Sequence, residues 1–416
     1  MGKTFVEKVF SQKAGKDVSA GAIVSVEPDY VMSHDNAAAI SGTFKKIGVS
    51  RIKYPERVVI ILDHEIPAPK ESSATNHKEI RAFVKEQNIN NFFDINHGIC
   101  HQIFTEHGFA MPGKLIVGSD SHTTTYGALG ALSAGIGRSE VAAIWATGEL
   151  WFSVPETLKI IVNGIMPKYI TPKDIALHII GKIGSDGADY KAVEFAGDTI
   201  SRMTVPERMV LSNMAAEMGA KCGYTLPDHN TFDFLRGRTK SEYESLYSDD
   251  DAVYCEVLEF NVEDVSPSVA KPHTVDNLAS VKEVEGTKID QALIGTCTNG
   301  RLEDLEAAAE VLKGNKVKVR TLIIPASRTV YKEAIKNGTI ETLVEAGAII
   351  MNPGCGPCLG AHQGVMAPGE VTFSTANRNF KGRMGCREAE IYLGSPITVA
   401  TAALTGEITD PGRLLS

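Results

Sequence analysis

With 416 residues, 43% of them hydrophobic and 22% charged, the chain holds enough apolar material for two or three domains with cores of their own. A formal net charge of −9 argues against non-specific nucleic-acid binding, which needs a basic face, and no apolar run approaches the roughly 18 residues that cross a bilayer. The amino end, residues 1–8, carries charges of both signs and no apolar signal core, so no membrane association and a cytoplasmic location are expected.

In chain order, several segments repeat one pattern: a Val- and Ile-rich run, a polar loop, then helix-prone sequence. Residues 57–62 run into Asp63-His64, and residues 114–117 run into Gly118-Ser119-Asp120-Ser121-His122. Thr204 and Glu207 form a Thr-x-x-Glu capping box ahead of a helix expected to end near Gly219, with Asn213 and Glu217 four apart on one side of it. The stretch 261–290, with Pro267, Pro272 and Gly286, reads as a linker or domain boundary. The strand pattern then returns. Residues 292–294 lead to Gly295-Thr296-Cys297, residues 348–351 lead to Asn352-Pro353-Gly354-Cys355, and residues 370–373 lead to Ser374-Thr375-Ala376-Asn377-Arg378. Continuous apolar runs without alternation fit strands covered on both faces, as in parallel α/β sheets. In each case the reactive side chains follow the carboxyl end of the strand, where open α/β sheets place ligands.

The seven cysteines, Cys100, Cys222, Cys255, Cys297, Cys355, Cys358 and Cys386, are odd in number and unevenly spread, unlike a disulfide framework. Cys355-Gly356-Pro357-Cys358 is the close pair, and Cys297 lies on a similar glycine-flanked loop. Three thiolates suit an iron–sulfur cluster with one iron lacking a protein ligand. Cys-x-x-Cys alone also fits a structural zinc or a redox dithiol. Zinc would want a fourth ligand in a second compact knuckle, and none is evident.

The full local sequences point further. Gly295-Thr296-Cys297-Thr298-Asn299-Gly300-Arg301 and Pro353-Gly354-Cys355-Gly356-Pro357-Cys358-Leu359-Gly360 resemble the cluster-binding motifs of the aconitase superfamily, most of all the large subunits of its two-subunit isopropylmalate isomerases and homoaconitases. The resemblance continues through Gly98-Ile99-Cys100-His101-Gln102, Asp120-Ser121-His122-Thr123 and Asn377-Arg378-Asn379-Phe380-Lys381-Gly382-Arg383, and so spans nearly the whole chain. It implies a three-domain α/β fold, with parallel-sheet domains at 1–163, 164–283 and 284–416 around the cleft of one [4Fe-4S] cluster, lacking the swivel domain. It implies cluster ligation by Cys297, Cys355 and Cys358, with Asn213 and Asn377 hydrogen-bonding the cluster. Asp63 and His64 correspond to the pair that protonates the departing hydroxyl, His101 pairs with Asp120, and His122 pairs with Glu217. His34, Ser121, Arg378 and Arg383 correspond to substrate contacts.

Two features set expectations about partner and substrate. Tyr126 stands where relatives usually carry His or Asn, and is expected to reshape the pocket wall. The family's Gly-Ser-Ser-Arg loop, which carries the proton-abstracting serine, does not occur, so a small subunit with the swivel domain and that serine is expected as partner. The implied activity is dehydration or isomerisation of a hydroxy di- or tricarboxylic acid, with 3-isopropylmalate leading. Homocitrate, citramalate and dimethylmalate follow, and a cluster-free RNA-binding protein is the alternative of another class.

Overall fold

The structure, a computed structural model, describes residues 2–239 and 241–415. Three parallel or largely parallel sheets organise it. The first runs, in spatial order, Asn91–Phe93, Val58–Ile61, Tyr30–Ser33, Leu115–Gly118, Leu132–Gly135, with every neighbouring pair parallel. All four residues of Val58–Ile61 and of Leu115–Gly118 are buried, as unalternated apolar runs require. The second sheet, also all parallel, runs Cys222–Tyr224, Ala192–Ala196, Thr157–Asn163, Glu256–Asn261. The third has seven strands, in the order Leu278–Ser280, Ser268–Ala270, Glu390–Leu393, Val371–Ser374, Gln291–Gly295, Arg320–Ile324, Ile349–Ile350.

Strand order decides where the chemistry sits. In the first sheet the chain builds outward from Tyr30–Ser33 on one side, then returns to its other side at Leu115–Gly118. In the third it does the same from Gln291–Gly295, returning at Val371–Ser374. Each return opens a crevice beyond the strand ends. The first crevice receives the loops after Ser33 and Gly118, the second those after Gly295 and Ser374. Direct ties join the two units: the Ile99 N–H donates to the Ala326 carbonyl at 2.8 Å, and the Cys355 N–H donates to the Asp63 carbonyl at 2.9 Å.

Two readings of the sequence need correction. The stretch 261–290 is more than a linker: the chain passes within it from the second sheet, left at Asn261, to the third, entered at Ser268, and Ser268–Ala270 and Leu278–Ser280 pair antiparallel at that sheet's edge. Its prolines and polar residues serve the turns between short strands. The boundary expected at 163 falls behind a strand of the second sheet, since Thr157–Asn163 bonds both Ala192–Ala196 and Glu256–Asn261. The capped helix runs to Gly219 as expected, the α-helix Val205–Met214 tightening into a 3-10 turn, Ala215–Met218, just before it. Both Asn213 and Glu217 still face the cleft.

Candidate active site

The sulfur side is built on a strained loop. Gly295 has φ +145°, and a Cβ there would lie 2.4 Å from the Ile324 carbonyl oxygen, so no side chain fits. Thr296 follows at φ +71°, a conformation β-branched residues avoid, and it persists because the surroundings lock it. Thr375 Oγ1 bonds both the N–H and the carbonyl of Gly295, at 2.9 and 3.1 Å. Buried Arg301 donates to the carbonyls of Thr298 and Cys297, at 2.6 and 2.9 Å. The loop therefore presents the Cys297 sulfur in one direction. That sulfur accepts the side-chain amides of Asn213 and Asn377, at 3.3 and 3.2 Å. Cys358 lies 3.7 Å from Asn377 Oδ1 and 3.9 Å from Arg383 Nη2.

These residues fit an iron–sulfur cluster better than a single ion. Among the described residues, the group of three or more ligand atoms lying within 4.8 Å of one another is His34, Asp35, Asp63 and His64, and does not include the three cysteines. One tetrahedral zinc with Zn–S bonds of about 2.3 Å would draw its sulfurs closer than that. The histidine–aspartate group needs no ion, because its members bond one another and the backbone. A hydrogen bond from Cys355 holds the Cys358 thiol well below the ordinary range, against burial and with the help of Arg383. Removal from water, with Cys358 nearby, pushes the Cys297 thiol up to about 11.

The acid side follows the first sheet. Asp63 is fully buried; its Oδ1 meets His64 Nδ1 at 2.6 Å, and its Oδ2 accepts the Cys100 N–H at 2.7 Å. His64 Nε2 points at Asp120 Oδ2, 3.6 Å away. Burial opposes its charge, yet Asp63 and Asp120 together hold His64 well above the ordinary histidine range. The His34 ring stacks on His64 with centroids 3.9 Å apart. Burial, with cationic His64 beside it, pushes His34 down to about 4, so it stays neutral. Asp120 is a hub: its Oδ1 meets His101 Nε2 at 3.1 Å, His122 Nδ1 at 3.4 Å and the His122 N–H at 2.8 Å. Burial would raise the Asp120 pKa, but these histidines hold it well below the carboxylate range. His122 Nε2 reaches Glu217 at 2.7 Å, and Arg378 Nε donates to both Glu217 oxygens at 2.9 and 3.0 Å.

Fourteen of the fifteen expected positions thus enter one connected network along the cleft. Ser121 does not: it is exposed and lines a separate depression with Gly135, Glu140 and Lys221. Tyr126 is no pocket wall. It is fully buried behind His101, its hydroxyl 3.2 Å from Nδ1 and its ring stacked on Phe104 at 4.3 Å. Contacts at both ring nitrogens, Tyr126 at Nδ1 and Asp120 at Nε2, fix the orientation of the His101 ring.

Sequence reading missed Asp35 and His77. The Asp35 carboxylate accepts the N–H groups of Asp63, His64 and Glu65 at 2.9, 2.8 and 3.2 Å, and His77 Nε2 at 2.8 Å. It fastens the acid loop. The only available signal was an aspartate immediately after His34. Beside this loop the cleft opens into a hollow of about 390 Å³ lined by His34, Asp35, His64, Arg138 and Leu359.

Fold and site together define an α/β protein with three cysteines facing a histidine–carboxylate network across one cleft. The chain belongs to the aconitase family, and with it to the hydro-lyases: the family described as aconitate hydratase matches residues 7–287 and 277–406. Membership implies an iron–sulfur cluster. The chain is 57% identical to a probable methanogen homoaconitase large subunit of Methanosarcina mazei, over 93% of its own length and 99% of the relative's. It is 50% identical to a probable 3-isopropylmalate dehydratase large subunit of Methanothermobacter thermautotrophicus, over the full length of both. Aconitase X of Thermococcus kodakaraensis shares the fold, with TM-score 0.55 at 13% identity, covering 96% of this chain and 95% of that one.

Proposed function

We propose that this chain is the large subunit of a two-subunit hydro-lyase that dehydrates, or isomerises through dehydration and rehydration, a hydroxy di- or tricarboxylic acid, with 3-isopropylmalate as leading substrate. The observation that carries this is the convergence of the Asp63–His64 pair, the cysteine loops and Arg378 and Arg383 on one cleft. Cys297, Cys355 and Cys358 would hold a [4Fe-4S] cluster, which when bound would supply Lewis acidity to the substrate hydroxyl. His64, kept charged by its two aspartates, donates a proton from Nε2 to the departing hydroxyl. Asp63 orients the ring, and neutral His34 stacked on it excludes water from one face. Asp120 is held in place by His101 and His122, and steadies the far side of His64. Arg378, already anchored through Nε, keeps its two terminal nitrogens for a substrate carboxylate, and Arg383 offers a second site. Asn213 and Asn377 fix the sulfur of Cys297. Full-length similarity to chains named large subunits supports a small partner subunit, which would bring the swivel domain, the serine base and the loop that reads the substrate's side chain.

Homocitrate is the second reading, favoured by the name of the relative at 57% identity. The test is anaerobic co-purification with a small subunit, then assay of isopropylmalate, homocitrate, citramalate, dimethylmalate and citrate for alkene formation. Preference for isopropylmalate is expected, and preference for homocitrate moves the assignment to the second reading. Silence on the whole panel with iron and sulfide intact overturns the substrate class. Full turnover by the chain alone removes the partner.

A further inference from the structure

Among the described residues, Lys173 is a fully buried lysine with no ion-pair partner. It sits in the first turn of the helix Pro172–Ile183, where the helix dipole disfavours a cation. No carboxylate of the described residues lies within the 4.0 Å of an ion pair with its ammonium. Its Nζ instead donates to the backbone carbonyls of Ala376 at 2.7 Å and Thr375 at 3.2 Å, with Met214 Sδ 3.5 Å away. A buried, unpaired charge costs several kcal/mol, so something must offset it. Burial pushes Lys173 down to about 8, while Glu217, Cys297, Cys358 and the neighbouring Asp174 favour its charged form. The two carbonyls it grips immediately precede Asn377, which donates to Cys297, and Arg378, which grips Glu217.

We propose that Lys173 is a positioning residue of the cysteine centre: its ammonium pins the Thr375 and Ala376 carbonyls so that Asn377 and Arg378 are aimed, and its buried charge adds to the one Arg383 already brings to the sulfurs. The inference rests on the iron–sulfur reading of the three cysteines. Two roles combine in one atom. Pinning needs only N–H donors, whereas the charge lowers the electrostatic penalty of adding an electron to a sulfur-bound metal centre.

Lys173→Gln keeps donors for the two carbonyls and removes the charge, and Lys173→Met removes both. The full-length chain is purified anaerobically in each form, assayed for iron and acid-labile sulfide, and titrated with dithionite while the cluster's electron paramagnetic resonance signal is followed. The expected result is a more negative reduction potential in both variants. In Lys173→Met, iron release to a chelator should also be about 10–100-fold faster, the range found when outer partners of metal ligands are removed. A wild-type potential in a folded, loaded Lys173→Gln overturns the charge role whether or not Lys173→Met folds. Equal iron-release rates in the wild type and Lys173→Gln support pinning, and a rate in Lys173→Gln equal to that of Lys173→Met overturns it. A wild-type chain without iron and sulfide overturns the cluster reading itself, an outcome distinct from an unshifted potential in a loaded variant.

Discussion

Replacing Asp35 with asparagine leaves the shape of the acid loop's anchor and removes its charge. In the wild type one carboxylate oxygen takes the Asp63 and His64 N–H groups, and the other takes Glu65 N–H and His77. An asparagine has one acceptor oxygen, so at least one backbone N–H faces an amide donor and the remaining bonds become neutral. Hydrogen bonds to charged groups are worth about 1.5–3 kcal/mol each, against about 1 kcal/mol for neutral ones, so a loss of roughly 2–4 kcal/mol is expected. The sign with pH follows from the direction of the shift. Burial raises the Asp35 pKa, but His77 and the backbone amides outweigh it and hold the carboxyl well below the ordinary aspartate range. Its contribution is therefore present above the unfolded aspartate pKa and lost as pH falls from there toward the folded value. Urea denaturation of the variant should show reduced stability at neutral pH and a gap to wild type that narrows in acid. His64 rides on this loop, and a misplacement of about 1 Å in a reacting group can cost on the order of 100-fold. A fall of that order in kcat is expected, with KM little changed because the arginines stand on the opposite wall. A variant that loses stability but turns over like wild type refutes the claim that Asp35 sets the position of His64. One that loses no stability refutes the anchor.

Tyr126→Phe removes the phenol from His101 Nδ1 and should lower stability by about 1 kcal/mol and reduce kcat; an unchanged kcat means the His101 ring is oriented by other contacts. Asp174, buried beneath Ser268 N–H, is pushed up to about 6 by burial, so its folded form binds more protons than its unfolded form between about pH 4 and 6. Stability therefore declines as pH rises through that window, and Asp174→Asn should flatten the decline, which thermal melts at several pH values will register. Arg378→Lys keeps the charge but loses the planar fork on Glu217, and steady-state kinetics should show a raised KM; an unaltered KM removes Arg378 from carboxylate binding.

Much of this molecule was legible in one dimension because its chemistry follows strand ends. Unbroken apolar runs such as 58–61 and 115–118 announce buried parallel strands, and the polar residues after them land in the crevices where strand order reverses. The cysteine loops, Asp63–His64 and Asp120–His122 lie at these strand ends, while the roles expected of them came from the resemblance of their local sequences to the aconitase superfamily. Three things did not follow from either. The segment 261–290 looks like a linker because its strands are three residues long and what joins them to the third sheet is a distant partner, Leu393 opposite Ala270. Tyr126 looks like a pocket residue from its place beside a motif, yet packing turns it behind His101. Asp35 and His77 are 42 positions apart, and Lys173 meets carbonyls 202 and 203 positions away, so neither role has a sequence period. The sequence alone marked the candidate side chains and the strands that carry them. Only the tertiary structure decided what holds those side chains still, because burial, ring orientation and the pairing of a charge depend on neighbours that chain order does not reveal.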